Sequence, residues 1–97
     1  MSTLHLVRQS AFTTNDFAQC INILGQRDTI VLMDDGCYNL KHTLLDTLLN
    51  TVTTSQLNVI TSHARARAID IQANVNNIEM SALVALTFTH QQVVTWQ

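Results

Sequence analysis

The sequence predicts a single three-layer α/β/α domain built on a mainly parallel sheet of four to five strands. Three observations carry that expectation. The 97 residues, 46% of them hydrophobic, suffice for one core and are too few for two domains. The strand-like segments are unbroken apolar runs, the pattern of strands covered on both faces. These runs alternate with segments whose apolar residues recur at helical spacing, the rhythm of βαβ units. Two glycines and no proline argue against a turn-rich β-sandwich, and low charge with high apolar content argues against disorder.

Thr3 to Arg8 reads as a first strand, with Leu4, Leu6 and Val7 burying side chains on both faces as a central parallel strand does. Ser10 to Asn15 is a polar connection. Thr13 or Thr14 is placed to cap a helix with Asp16 in its first turn and an apolar stripe at Phe17, Ile21 and Leu24. Gly25 is expected to close that helix in the left-handed conformation. Asp28 to Met33 is the clearest strand, and Asp34-Asp35-Gly36 then predicts a turn. From Asn39 to Asn50, leucines at 40, 44, 45, 48 and 49 mark a second helix, with a polar exit over Thr51 to Gln56. Leu57 to Thr61 is a third strand, and Ser62 is placed to cap a short basic helix running through Ala68. Ile69 to Asn77 is polar and carries no clear period. Ile78 to Met80 reads as a short fourth strand. Ser81 then caps a helix over Ala82 to His90, with Leu83, Leu86 and either Phe88 or Val84 facing inward, and Val93 to Trp96 is a terminal strand.

Charge narrows the function classes. Five Lys+Arg against seven Asp+Glu, a formal net charge of −2, give no basic footprint for gripping a nucleic-acid backbone. With only 12% charged residues, the surface is mostly neutral Thr, Asn and Gln, so it is expected to be partly covered by other subunits. The N-terminal segment lacks the pattern of a secretory signal, and the longest wholly apolar run, Ile30 to Met33, is far short of the roughly 20 residues that cross a bilayer. A cytoplasmic protein with free thiols is the expectation. No GxGxxG or GxxxxGK[ST] is present, and the four histidines show no metal-ligand spacing, so neither a cofactor nor a metal is expected.

Ligands of parallel α/β sheets bind outside the carboxyl ends of the strands. That edge carries Gln9 and Ser10, Asp34 to Tyr38, Ser62 to Arg67, and Ser81. Asp34 and Asp35 are better read as turn residues than as an acid/base pair. Cys37 sits between that turn and a helix, where the dipole would favour a thiolate, but it is better read as a small apolar residue filling the helix start. Cys20 lies on or beside the buried stripe of the first helix, which reads as a core position. His63, Arg65 and Arg67 form the one local basic cluster, suited to an anion, an acidic partner surface or plain solvent. Trp96 either packs into the sheet edge or anchors a subunit interface.

Taken together, several features resemble the DsrH/TusB family over nearly the whole length: Leu4-His5 followed by Ser10 and Phe12, Asp35-Gly36 after the second strand, Ala66-Arg67, the segment Ile78 to Thr87, and His90 with Trp96. The resemblance implies a DsrE-like fold. It also implies assembly with DsrE/TusD-like and DsrF/TusC-like subunits into a heterohexamer, fed by TusA-like and drained by TusE-like sulfur carriers. In one branch that relay serves 2-thiolation of the tRNA wobble uridine; in the other it serves oxidation of stored sulfur. The principal relay cysteine of such complexes belongs to a sister subunit. In this chain the resemblance singles out Cys20, which matches a cysteine of the sulfur-oxidising branch and is the candidate persulfide carrier. Cys37 is a second thiol where relatives carry an aliphatic residue, and Arg67 and Trp96 are candidate interface residues. Ala68 stands where relatives carry a glycine, Ala11 where they carry a proline, and His63 where they carry an acidic residue. A homo-oligomeric interaction module built around Trp96 is the remaining reading.

Overall fold

The computed structural model describes residues 2–51 and 56–97. Five strands form one all-parallel sheet: β1 (Thr3–Val7), β2 (Thr29–Leu32), β3 (Leu57–Ile60), β4 (Asn76–Ile78) and β5 (Gln92–Trp96), in spatial order β4-β3-β2-β1-β5. The helices are α1 (Asp16–Ile23), α2 (Leu44–Thr51), α3 (Thr61–Ala66) and α4 (Met80–Thr89). The three-layer fold is therefore the one expected, and β1 is indeed internal, paired to β2 on one side and β5 on the other.

The order of the strands dictates the layers. From β1 to β4 each step moves outward in the same direction, so right-handed crossovers put α1, α2 and α3 on one face. The step from β4 to β5 reverses direction across the sheet, and the same handedness sends α4 to the other face. Side chains alternate accordingly. Val7, Ile30, Leu32, Leu57 and Val59 meet Phe17, Cys20, Ile21, Leu45, Leu48 and Ala64 in the larger core. Leu4, Val31 and Ile60 meet Leu83 in the smaller one, with Leu6, Met33, Ile78 and Leu86 partly buried around them.

Several local features differ from the sequence reading, each for a physical reason. Gly25 is not left-handed. Helix α1 ends at Leu24 in an extended conformation, and the turn is closed by Asp28, whose Oδ2 accepts from Gly25 N–H at 3.0 Å. Thr13 and Thr14 donate their hydroxyls to Ser10 O, tying the preceding turn, and Asn15 is the residue ahead of α1. The turn expected at Asp34-Asp35-Gly36 becomes a 3-10 helix over Asp34–Lys41, and α2 starts only at Leu44. Asn39 fixes that path: fully buried, it donates to Gln9 O and accepts from Ala11 N–H. His42 then breaks the helix, its Nδ1 accepting from Leu44 N–H at 3.0 Å. Of the polar exit over Thr51 to Gln56, positions 52–55 lie outside the described residues.

Strand β4 begins two residues before the apolar segment that suggested it. Asn76 and Asn77 are poor strand formers, but an edge strand with one side in solvent tolerates them, and the pair Ile60↔Ile78 sets the register. Helix α4 consequently starts at Met80 instead of at a Ser81 cap.

Helix α3 ends in a Schellman motif: Ile69 N–H reaches Ala64 O, Ala68 N–H reaches Arg65 O, and the buried Ala64 and Ile69 share the larger core. The motif needs a left-handed residue, and Ala68 supplies it at φ 54°. A Cβ there is strained. Ala68→Gly is therefore expected to raise stability by about 1 kcal/mol, a shift of several degrees in thermal melting. A lower melting temperature would show that the backbone strain is not the controlling factor.

Candidate functional site

The carboxyl edge of the sheet gathers polar groups from four strands. Arg8 leaves β1, Asp34 and Asp35 leave β2, His63 and Arg67 belong to the helical turn after β3, and Gln97 follows β5. Arg8 Nε donates to Asp34 Oδ2 at 2.7 Å and its Nη1 donates to Gln97 Oε1 at 2.8 Å. Asp34, left-handed at φ 50°, donates its backbone N–H to His63 Nδ1 at 3.0 Å. The bond makes Nδ1 an acceptor and leaves the ring proton of a neutral His63 on Nε2. Arg67 Nε donates to Asp35 Oδ1 at 3.1 Å, and Arg67 Nη1 donates to His63 O. Both carboxylates are thus held by arginines, the arrangement of a tied loop and not of an acid/base pair poised for catalysis. Such partly exposed pairs each contribute about 0–1 kcal/mol, so their effect is chiefly on loop geometry.

Beneath this lattice lies Cys37. It is fully buried, its thiol directed to Leu32 O at 3.9 Å. Burial pushes its pKa up to about 11; Arg67 draws it down, and Asp34 and Asp35 push it back up. The helix-start position expected to favour a thiolate is outweighed by loss of water. Cys20 is also fully buried, on the face of α1 against the larger core. Burial, then the negative charge of Asp28, pushes its thiol up to about 12. At pH 7 a thiol with such a pKa is ionised in no more than about one molecule in ten thousand.

A second polar cluster lies inside the larger-core face and was not anticipated. His5, 2% exposed in mid-β1, has its Nε2 2.9 Å from Asp28 Oδ2, and Trp96 Nε1–H donates to its Nδ1 at 3.1 Å. Indole nitrogen only donates, so Nδ1 of His5 accepts and Nε2–H donates to the carboxylate. Asp28 also accepts from Thr3 N–H and Gly25 N–H. Burial pushes the Asp28 carboxyl up, but the bonds from Gly25, His5 and Thr3, with the His5 charge interaction, together hold it below the usual value. Trp96 is half-buried and stacks on His5 within its own chain, rings 6.2 Å apart. His90 pins α4 to β2, its Nε2 2.9 Å from Thr29 Oγ1 and its Nδ1 2.9 Å from Leu86 O. Asp28 is legible in the sequence as a carboxylate opening a β-branched and apolar strand in a charge-poor chain.

The outer face is the reverse of polar. Helix α4 carries no charged residue, and its Met80, Val84 and Phe88 face outward, Phe88 at 84% exposure. Val93 and Val94 on the neighbouring edge strand β5 are exposed too.

Among the described residues no group of three or more His, Cys, Asp or Glu side chains is arranged to hold a metal, and no helix is long and apolar enough to cross a membrane. Fold and site define a small parallel α/β/α protein with tied surface carboxylates, buried thiols and an apolar helix turned outward. A family model described as DsrH like protein matches residues 9–93 of the 97. The chain belongs to the DsrH family, whose members are subunits of multi-subunit sulfur-relay complexes. None of the curated proteins compared with it matches.

Proposed function

We propose that the chain is a scaffold subunit of a cytoplasmic, TusBCD-like relay that serves 2-thiolation of the tRNA wobble uridine, assembled with DsrE/TusD-like and DsrF/TusC-like partners. The uncovered face of α4 carries this reading. A helix without a charged face belongs in an interior, and here one apolar side of it, Met80, Val84 and Phe88, is exposed. A sister subunit laid over Met80, Val84 and Phe88 completes the layer that a single helix leaves thin. The slightly negative net charge suits a subunit that meets proteins and leaves the RNA to another component.

The burial of both thiols supports scaffold over carrier. A relay thiol attacks a persulfide sulfur as thiolate and hands that sulfur on, so it must be reachable and ionisable. Cys20 and Cys37 in this conformation are neither. The alternative, a DsrH-like subunit in sulfur oxidation with Cys20 as carrier, requires α1 to move off the sheet.

Two experiments address the two levels. Light scattering of an equimolar mixture with the two homologous subunits is expected to give a hetero-oligomer, and Phe88→Asp is expected to weaken it while the isolated chain stays folded. A chain that remains monomeric in the mixture overturns the assembly reading. Incubating the complex with a persulfide donor is expected to leave this subunit's mass unchanged; an added sulfur, about 32 Da, lost in Cys20→Ser would establish the carrier instead.

A further inference from the structure

The basic cluster His63, Arg65, Arg67 is divided by the fold. Arg67 is held by Asp35 and His63 by the Asp34 backbone, whereas the Arg65 side chain has no ion pair or hydrogen bond among the described residues. Arg65 instead lines a cleft of about 510 Å³ with Thr61, Ser62, Ala66 and Glu79. Glu79 is likewise without a side-chain partner among the described residues. Two opposite charges therefore share one concavity without meeting. Its position is the place where parallel sheets take ligands, since Thr61 follows the carboxyl end of β3 and Glu79 that of β4.

We propose that this cleft binds a small zwitterion of the short-peptide class, its carboxylate on Arg65 and the Ser62 hydroxyl, its ammonium on Glu79. A simple anion is repelled by Glu79 and a simple cation by Arg65; only a molecule bearing both charges satisfies each wall. The volume is within the range of about 300–1,000 Å³ typical of small-molecule sites. Two extended residues span about 7 Å, which bridges side chains too far apart to pair directly. Ala66 leaves room for a small side chain on the ligand. Thr61 is committed elsewhere, its hydroxyl donating to Ile78 O and so holding the two walls of the cleft together. Asp70 lines a separate cleft of about 350 Å³ on the other flank of Arg65 and takes no part.

The test is an amide chemical-shift titration of the full chain with alanyl-alanine, N-acetyl-alanyl-alanine and alanyl-alanine amide. The free dipeptide is expected to saturate with a dissociation constant of about 1 mM, moving resonances of Thr61 to Ala66 and Glu79. Each blocked peptide is expected to bind about five-fold more weakly or worse, as are Arg65→Ala and Glu79→Ala with the free dipeptide, while Asp70→Ala binds normally. Equal binding of the acetylated peptide would reduce the site to an anion site, and unsaturated or unlocalised shifts would remove it; either overturns the proposal. These variants lie outside the α4 face, so failure here leaves the assembly reading standing.

Discussion

Gly36→Ala is expected to yield a chain that does not fold, or that melts far below the parent. A Cβ at this position would collide with the Val7 carbonyl oxygen and stand 2.8 Å from the Val7 carbonyl carbon. Both are backbone atoms at the end of β1, where Val7 O accepts from Met33 N–H, so neither can yield without loosening the pairing of β1 with β2. Gly36 has no positive φ, so the requirement is space and not conformational freedom. Overpacking of a rigid site costs typically about 1–3 kcal/mol and more where backbone must shift, enough to consume much of a small domain's stability. Circular dichroism of the purified variant checks it, and a parent-like melting curve would refute the close contact.

Asp28→Ala is expected to cost about 3 kcal/mol, because it strands the N–H groups of Thr3 and Gly25 and the Nε2–H of His5 in a site with little water. Asp28→Asn keeps one acceptor and is expected to lose about half as much. The pH dependence follows from the lowered carboxyl pKa. A carboxyl whose folded value lies below its unfolded one adds stability above the unfolded value of about 3.8, and that stability is lost as pH falls through the folded value. The parent's stability should therefore fall more steeply than that of Asp28→Asn as pH drops below about 4. Urea melts at several acidic pH values measure the difference, and parallel curves would mean that the carboxylate is not preferentially ionised in the folded chain.

What the sequence makes legible divides along burial. Unbroken apolar runs such as that ending β2 announce strands covered on both faces, and Phe17 with Ile21 announces the inner side of α1. Element order then leaves few topologies. Less legible are features set by a distant partner. The 3-10 path of Asp34–Lys41 is fixed by Asn39 reaching back to Gln9 and Ala11, and the start of β4 is fixed by Ile60. The left-handed turn goes to Ala68 and not to Gly25, because Asp28 closes the first helix by hydrogen bonds.

At the site level the same division holds. Periodicity placed Cys20 on a core face, where it lies, whereas the helix-start argument for Cys37 omitted the depth of its burial. The basic cluster was visible as three residues, but which of them is spoken for depends on Asp34 and Asp35, brought close only by the sheet. His5 and Trp96 stood out by resemblance, and the carboxylate that completes their chain of hydrogen bonds did not.

The position of β5 bears on how the chain reaches its final form. Strands β1 to β4 lie in the order they occur, each beside its predecessor, but the second edge of β1 is closed only when Thr3 meets Gln92. Closing so long a loop costs about 4 kcal/mol of chain entropy, to be recovered only once β5 is seated. While a ribosome still holds the last strand, an otherwise internal strand has a naked flank able to accept any extended peptide. Once β5 is seated, the Trp96 indole bonds to His5 and covers that flank.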